Sequence, residues 1–432
     1  MQKNTEKLII YNLFPTLAGQ FTRWEAHLQR AADMGFNWIF VNPIQQTGYS
    51  GSLYSIADYF ALNPLLIDKH ADQTPELQVK MVTKVAKTLG LNVMVDLVIN
   101  HCASDSILIT EHPEWFNWEG EHVMRACCYE EGQKIVWEDL AQFNHRNTKD
   151  KEGLFQYFLK VVDFLVELGF IGFRCDAAYQ VPREFWQRLI RETKAKHPET
   201  IFIAETLGCT ADQTRKTAEA GFDYIFNSSK WWDFNGAWLM EQYNLTRELV
   251  PSISFPESHD TPRLMQEFYD NANILKQRYL FAAIFSSGLM MPMGYEFGFK
   301  NKLHVVHTRP KDWEETGIDL QEFIRKVNAI KSKCRIFQED SPIHLLHNDN
   351  PQLLVMWKGS TRTQEEALII LNKDGWNRQT FYAEHLRNYV QAGAPLIDVS
   401  PEYPMTFIPQ PFVYELNPGQ GLIMVTQRDV IQ

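Results

Sequence analysis

Residues 171–205 read IGFRCDAAYQVPREFWQRLIRETKAKHPETIFIAE and show most clearly how the chain folds. The two ends of this stretch, Ile171–Cys175 and Ile201–Ala204, are short apolar runs, and Arg183–Lys196 between them carries apolar residues at helical spacing. Continuous rather than alternating apolar runs are typical of strands buried on both faces, as in a parallel sheet covered by helices. The stretch therefore predicts one strand–helix–strand unit of an α/β protein.

The same alternation recurs along most of the chain and gives eight strand predictions in all. They are Leu8–Leu13, Asn37–Asn42, Asn92–Leu97, Ile171–Cys175, Ile201–Ala204, Asp223–Phe226, Ser252–Phe255 and Leu289–Met293. Helices are predicted over Phe21–Met34, Thr74–Leu89, Leu154–Leu168, Arg183–Lys196, Ala211–Ala220 and Ala272–Phe285. Eight such units predict a (β/α)8 TIM barrel, whose usual size is ~250 residues.

Two long loops and a change of character toward the C-terminus account for the residues beyond the barrel. The loops are Pro43–Gln73 and His101–Lys149, and loops of that length in a compact domain usually carry function. The final part of the chain holds β-like runs separated by Asn, Asp, Gly and Pro, which predicts an antiparallel β-sandwich. We therefore predict a barrel domain over 1–337, with a short inserted domain over 101–150 after the third strand, and a β-sandwich domain over 338–432.

Composition and charge exclude several function classes. The 432 residues are 45% hydrophobic and 22% charged, an ordinary globular mixture, and the formal net charge is −11. An acidic chain repels phosphate backbones, so nucleic acid is excluded as the main partner, and no apolar run is long enough to span a membrane. The six cysteines form no CxxC pair, and the N-terminus is a poor signal peptide. Both features predict a cytoplasmic protein with reduced thiols.

Polar residues stand at the ends of the predicted barrel strands, the place where a TIM barrel carries its active site. From the second strand to the seventh they include Asn42, Tyr54, Asp58, Asp96, Asn100, His101, Arg174, Asp176, Glu205, His259 and Asp260. One Asp after a strand is often only the N-cap of the next helix. Polar groups at the ends of so many buried strands instead favour a common site on one rim of the barrel.

Two of these carboxylates end neighbouring strands. Asp176 and Glu205 follow consecutive parallel strands, which lie ~4.8 Å apart. Retaining glycosidases hold their nucleophile and their acid/base ~5–5.5 Å apart, whereas inverting enzymes need a wider gap for water. Arg174, two residues before Asp176 on the same strand face, favours an ionised nucleophile. The pattern therefore predicts the chemistry of a retaining glycosidase.

The polar residues also form four motifs in a recognisable order. The motifs are Asp96–His101 (DLVINH), Gly172–Asp176 (GFRCD), Ala204–Glu205 (AE) and Phe255–Asp260 (FPESHD). Their sequence and order resemble the four motifs of the α-amylase family of glycoside hydrolases, and four matches in register are highly specific. Tyr54–Tyr59 and Trp137–Asn144 resemble two further segments of that family. Glu111–Phe116 resembles a segment of the maltosyltransferases that use maltose 1-phosphate.

The resemblance implies a role for each matching residue. Asp176 is the implied nucleophile, Glu205 the general acid/base, and Asp260 a third carboxylate that holds sugar hydroxyls. The implied substrate-binding residues are Tyr54, Asp96, His101, Arg174 and His259. Within that set Tyr54 stacks on the reacting ring, and Asp96 supports the site rather than reacts.

The chain departs from the family pattern at two motifs. Ser258 stands where Asn is usual before His-Asp, and Ala178–Gln180 replace the usual Lys-His after the nucleophile. In many relatives the second of these segments contributes to the acceptor side and to a calcium site. Asn100 matches a calcium ligand, with Asp105 and Asp139 as candidate partners. The resemblance implies no required cofactor, and it leaves calcium open.

Three functions remain open at this point. The first is an α-amylase-type hydrolase, a retaining enzyme that cleaves α-1,4-glucosidic bonds in malto-oligosaccharides, starch or glycogen. The second is a maltosyl- or glucanotransferase, which shares every chemical step up to the choice of acceptor. The third is a non-catalytic carbohydrate-binding relative, which the presence of both Asp176 and Glu205 disfavours. In each case the expected partner is an α-glucan or malto-oligosaccharide.

Overall fold

Eight parallel strands form a closed barrel in the computed structural model, which describes residues 7–130, 133–391 and 394–426. The strands are β1 Leu8–Leu13, β2 Trp38–Val41, β3 Asn92–Leu97, β4 Gly172–Cys175, β5 Ile201–Ala204, β6 Tyr224–Phe226, β7 Ser252–Ser254 and β8 Gly288–Pro292. Their order around the barrel follows their order in the chain. This arrangement confirms the predicted TIM barrel.

One longer helix follows each barrel strand. These helices are α1 Glu25–Asp33, α2 Pro75–Thr88, α3 Lys151–Glu167, α4 Arg183–Lys196, α5 Ala211–Ala218, α6 Trp238–Thr246, α7 Ala272–Phe285 and α8 Gln321–Lys333. Short helices add one turn each at Pro15–Ala18, Leu108–Glu111 and Leu264–Glu267. Across the part of the chain that the structure describes, no helix combines the length and the apolar character needed to cross a membrane.

Capping side chains explain where several helices begin. The Asp150 carboxylate accepts a hydrogen bond from Gly153 N at 2.9 Å, and α3 therefore begins earlier than the predicted Leu154. Thr210 and Gln213 form a capping box ahead of α5. Such oxygens satisfy N–H groups that have no partner within the helix. By contrast, α6 and α8 follow Ala237 and Leu320 without a capping side chain, and neither helix was among the predicted elements.

The segments after β2 and β3 form small antiparallel sheets of their own. The loop after β2 is a hairpin of Gln45–Thr47 and Ile56–Leu62. The segment after β3 contains a three-stranded sheet of His101–Ala103, Arg125–Glu130 and Gln133–Gln142, and a small pair of Trp118–Glu119 and His122–Val123. The predicted insertion therefore has a sheet of its own, while its limits at 101 and 150 stay a prediction.

The C-terminal strands form two antiparallel sheets packed on a common core. They are β9 Ile343–Leu346, β10 Leu353–Gly359, β11 Glu366–Asn372, β12 Gln379–Ala383, β13 Leu396–Asp398, β14 Phe412–Leu416 and β15 Gly421–Thr426. One sheet has the order β9–β10–β11–β15–β13, and the other pairs β12 with β14. Leu368 and Ile370 of the first sheet share a buried cluster with Phe381 and Phe412 of the second. This packing confirms the predicted β-sandwich.

The chain divides into two compact units. Among the described residues, the N-terminal unit comprises residues within 10–227 and 303–313, and the C-terminal unit comprises residues 7–9 and those within 228–302 and 314–426. Within the C-terminal unit, buried hydrogen bonds tie α7 to the sandwich. Gln277 Nε2, for example, donates to Asn372 O at 2.6 Å. The predicted domain boundary between residues 337 and 338 stays a prediction.

Candidate active site

Four of the predicted site residues lie at the C-terminal ends of β3, β4 and β5 in the N-terminal unit: Asp96, Arg174, Asp176 and Glu205. The strand register pairs Arg174 with Asp96. It also pairs Cys175 with Ala204, the residues that directly precede Asp176 and Glu205. Because adjacent strands lie ~4.8 Å apart, the structure brings these two carboxylates to neighbouring strand ends, as predicted.

One guanidinium joins two carboxylates at this rim. Arg174 Nη1 donates to Asp96 Oδ1 at 2.8 Å and to Asp176 Oδ1 at 2.7 Å. Asp96 is fully buried and Arg174 nearly so, and both charges therefore depend on their partners rather than on water. Burial acts to lower the pKa of Arg174, but nearby acidic groups, Asp96 foremost, raise it overall well above its ordinary value. The guanidinium therefore stays protonated and fixes the orientation of Asp176.

A line of hydrogen bonds leads to Asp96 from the first two barrel strands. Asn12 Nδ2 donates to Asn42 Oδ1 at 3.0 Å, and Asn42 Nδ2 donates to Tyr54 Oη at 2.9 Å. Tyr54 Oη in turn donates to Asp96 Oδ2 at 2.6 Å. Because the Asn42 amide occupies a lone pair of the phenol oxygen, the phenol proton points to Asp96. No motif marked Asn12, because an asparagine inside a buried strand gives no sequence signal of its partner.

Backbone N–H groups orient the Glu205 carboxyl. Ala177 N donates to Glu205 Oε2 at 2.7 Å, and Leu207 N donates to Oε1 at 3.1 Å. Ala177 has a φ of 40°, in the left-handed region that residues with a Cβ seldom adopt. This strained turn directs the N–H that follows Asp176 toward Glu205. The backbone therefore couples the position of one carboxyl group to the other.

His101 packs beside Tyr54 on the segment that follows β3. Its Nε2 lies 3.2 Å from Tyr54 O, and this contact requires the proton to be on Nε2. Burial lowers the pKa of His101, although the charge of Asp176 acts to raise it, so the ring is neutral at neutral pH. The one hydroxyl proton of Tyr59 is shared between Val98 O, 3.0 Å from Oη, and His101 O, 2.9 Å from Oη, and this contact holds the segment that carries the ring.

His259 and Asp260 follow β7 in the C-terminal unit. His259 Nε2 lies 2.9 Å from Asp260 Oδ2. The His259 side chain is 3% exposed and the Asp260 side chain 59% exposed, so a buried imidazole supports a carboxylate that faces solvent. The structure thus pairs these two predicted residues with each other. Their placement beside Asp176 and Glu205 stays a prediction.

A buried ion pair holds the same segment of the C-terminal unit. Arg263 Nη1 donates to Glu257 Oε1 at 2.7 Å, and Leu264 N donates to Glu257 Oε2 at 2.7 Å. Burial raises the pKa of Glu257, although Arg263 acts to lower it. Glu257 lies within the Phe255–Asp260 motif, but the resemblance implies no role for it. No sequence pattern identified Arg263 as its partner. The pair anchors the chain on both sides of His259 and Asp260.

Asn100, the residue that matches a calcium ligand, contacts a neighbouring glutamine. Asn100 Nδ2 donates to Gln180 Oε1 at 3.4 Å, and Gln180 Nε2 donates to Cys127 O at 3.3 Å. Asp105 Oδ2 accepts from Tyr49 N at 3.0 Å. Within residues 7–130, 133–391 and 394–426, no group of three His, Cys, Asp or Glu side chains is placed to hold a metal ion. Asn100 Oδ1 is buried and accepts no hydrogen bond among the described residues, so calcium stays open as the resemblance left it, and no chemical step below passes through a metal.

The fold and these strand ends define a (β/α)8-barrel protein with a carboxylate-rich site. The family model described as "Glycogen debranching enzyme, glucanotransferase domain" matches residues 2–128. An alpha-1,4-glucan:maltose-1-phosphate maltosyltransferase from Burkholderia pseudomallei is 24% identical, over 83% of this chain and 32% of that protein. The enzyme of that name from Mycobacterium tuberculosis is 27% identical, over 85% of this chain and 55% of that protein. The chain thus spans about a third to a little over half of the length of these relatives.

Solved structures of α-amylases share the fold over nearly the whole chain. The α-amylase from Lactobacillus plantarum has a TM-score of 0.77 and 20% identity, covering 99% of this chain and 100% of that one. The α-amylase from Geobacillus thermoleovorans has a TM-score of 0.78 and 15% identity, covering 98% of this chain and 99% of that one. At these identities the likeness shows the fold. Together, the comparisons confirm the resemblance of the chain to the α-amylase family, with similarity to maltosyltransferases.

Proposed function

We propose that this chain is a retaining enzyme of the α-amylase type that acts on α-1,4-glucosidic bonds of glucans. The observation that carries the proposal is the placement of Asp176 and Glu205 at the ends of adjacent strands, coupled by the N–H of Ala177. This arrangement suits the ~5–5.5 Å between the carboxyl groups of retaining glycosidases and not the wider gap of inverting ones.

The proposed reaction has two displacement steps. In the first, Glu205 gives a proton to the glycosidic oxygen while Asp176 attacks the anomeric carbon, so the leaving sugar departs and a glycosyl ester forms on Asp176. In the second, an acceptor hydroxyl attacks that carbon, Glu205 takes its proton, and the Asp176 carboxylate is released. Arg174 holds Asp176 oriented for attack in both steps. Asp260 is the proposed third catalytic carboxylate, which holds sugar hydroxyls. The proposed substrate-binding residues are Tyr54, Asp96, His101, Arg174 and His259, and Asp96 acts through Arg174 and Tyr54.

The acceptor decides between hydrolysis and transfer. Water as acceptor gives an α-amylase-type hydrolase, the first function that the sequence predicts. A sugar hydroxyl as acceptor gives a glucano- or maltosyltransferase with the same catalytic residues. The names of the curated relatives favour the second outcome, because each is a maltosyltransferase that uses maltose 1-phosphate.

A basic cleft supports an anionic donor as the second candidate. The cleft has a volume of about 420 Å³, lies beside the turn Ala178–Gln180 that follows the nucleophile, and includes Arg146, Arg183 and Lys216 in its lining. Glu184 is the acidic residue of that lining. Among the described residues Arg146 forms no ion pair, so its charge is available to a phosphate. Arg183 is already paired with Glu219 at 3.3 Å, and Lys216 with Asp212 at 2.6 Å. Arg146 is therefore the cation of this lining that favours a phosphorylated sugar.

Product analysis by mass spectrometry tests the proposal. The wild type is incubated with maltoheptaose, and in parallel with maltose 1-phosphate plus maltoheptaose, beside Glu205→Gln and Asp176→Asn. The matched control is Glu248→Gln, which alters a carboxyl group whose side chain is 73% exposed. Shorter products alone would mean hydrolysis, and longer products would mean transfer. Longer products that need the phosphate would identify a maltosyltransferase.

Two outcomes would contradict the proposal. Full activity in Glu205→Gln would overturn the assignment of the acid/base. If the wild type binds glucan but turns over no substrate in either incubation, the chain would instead be a non-catalytic carbohydrate-binding protein.

A further inference from the structure

Trp376 is displayed on a short loop between β11 and β12 of the C-terminal sandwich. The relative solvent exposure of Trp376 is 65%. The indole stacks on no other ring, and its Nε1 donates no hydrogen bond, among the residues that the structure describes. A tryptophan of the barrel core such as Trp186 is instead buried and donates its Nε1 to Ala178 O at 3.0 Å. Trp376 therefore offers an open aromatic face.

The backbone beneath the Trp376 ring is held in one conformation. Asp374 Oδ1 accepts a hydrogen bond from Trp376 N at 2.8 Å. Gly375 O accepts from Asn271 Nδ2 at 2.9 Å and from Asn273 Nδ2 at 3.2 Å, two side chains at the start of α7. Gly375 itself is buried against α7. Because this backbone is already ordered, a ligand that covers the ring does not have to pay for ordering the loop, which is the advantage of a preorganised site.

A second exposed indole lies on the loop that contacts this one. Lys373 Nζ donates to Asn235 Oδ1 at 2.7 Å and joins the two loops. The neighbouring loop ends in Trp238, which is 39% exposed and packs its ring against Gly236. The two indoles therefore lie on loops that are joined by the hydrogen bond between the Lys373 ammonium and the Asn235 amide.

We propose that Trp376, together with Trp238, forms a second glucan-binding site made of the C-terminal unit alone. The identity of the glycan rests on the proposed function. A pyranose ring presents a face of C–H groups that stacks on an indole, and its hydroxyls meet the polar groups of Lys373 and Asn235. A protein partner would need a contiguous apolar patch of several hundred Å². The residues that flank Trp376 are instead Gly375, Asn377 and Arg378, which suits a sugar.

Affinity electrophoresis in gels that contain glycogen tests this site. Each protein carries Glu205→Gln, so that glycogen is not cut during the run, and its mobility is compared in gels with and without the polymer. We expect Trp376→Ala to weaken retardation by glycogen about threefold to tenfold. Trp376→Phe keeps an aromatic face and should weaken the retardation much less than Trp376→Ala does. Phe407→Ala, a second exposed aromatic of the C-terminal sandwich domain at 76%, is the matched control and should behave as the parent.

The outcomes separate this proposal from the proposed function. Unchanged retardation of Trp376→Ala, or an equal loss in Phe407→Ala, would overturn the second site. Turnover of maltoheptaose without retardation by glycogen would also overturn it while leaving the catalytic proposal intact. If retardation depends on Trp376 but the protein with Glu205 intact turns over neither maltoheptaose nor maltose 1-phosphate, the second site would be supported and the catalytic proposal refuted. In the variant with Glu205 restored, Trp376→Ala should keep wild-type turnover of maltoheptaose.

Discussion

Replacing Tyr54 by Phe would test whether its hydroxyl holds the carboxylates of the site in place. The variant keeps the ring that is proposed to stack on sugar and deletes one oxygen. It removes the 2.6 Å hydrogen bond to Asp96 Oδ2 and leaves Asn42 Nδ2 without its 2.9 Å acceptor. Hydrogen bonds to charged groups contribute about 1.5–3 kcal/mol, so we expect the free energy of unfolding to fall by about 2–3 kcal/mol. For a chain of this length, that lowers the melting temperature by about 2–3 °C.

The same change should lower kcat by about tenfold or more, because small displacements of a reacting group are costly. Asp96 without its phenol donor competes more strongly for Arg174 Nη1, the group that also holds Asp176. Steady-state kinetics with a donor that the wild type turns over would measure kcat, and thermal melts followed by circular dichroism would measure the loss of stability. Tyr295→Phe is the matched control, since Tyr295 Oη makes a buried bond of 2.6 Å to a neutral acceptor, Leu275 O. Lowered stability with wild-type kcat in both variants would refute the reasoning.

Four further predictions follow from buried or reacting groups. Asp176→Asn should reduce turnover by at least about 10³-fold while retaining glucan binding, as judged by kinetics and by titration calorimetry. Burial lowers the pKa of His145 to about 4 from 6.5, so the folded protein binds fewer protons than the unfolded chain between these values. The free energy of unfolding should therefore fall by about 3 kcal/mol as the pH drops from 6.5 to about 4, and urea titrations should show a smaller fall in His145→Gln. Burial lowers the pKa of Lys358 to about 8 from 10.5, so stability should rise as the pH increases from about 8 to 10.5, a rise that Lys358→Met should lack in the same assay. Glu257→Gln should lower the free energy of unfolding by about 3–5 kcal/mol, because it leaves Arg263 buried without its charge partner, and thermal melts would detect the loss.

Local patterns predicted the barrel elements well. Strands β1, β3 and β5 and helices α4 and α7 begin and end at the predicted residues. Apolar periodicity is a property of consecutive residues, so it can be read without knowing what packs against them. The helices α6 and α8 were not predicted, and the missing capping side chain alone does not explain this, because α4 lacks one too and was predicted from its apolar periodicity. The cytoplasmic location and the domain limits stay predictions.

The sequence alone determined the fold class and the residues that stand at the strand ends, because periodicity and motif order are local properties of the chain. The contacts that join those residues are visible only in the folded protein. Arg174 and Asp96 are 78 positions apart and meet because strand register places them side by side. The hydrogen bond between Asn12 and Asn42 was found for the same reason. Glu257 and Arg263 are only six positions apart, and they meet because the loop after β7 folds back on itself. A hydrogen bond between distant residues depends on the register of strands and the packing of loops, neither of which any short stretch of sequence contains.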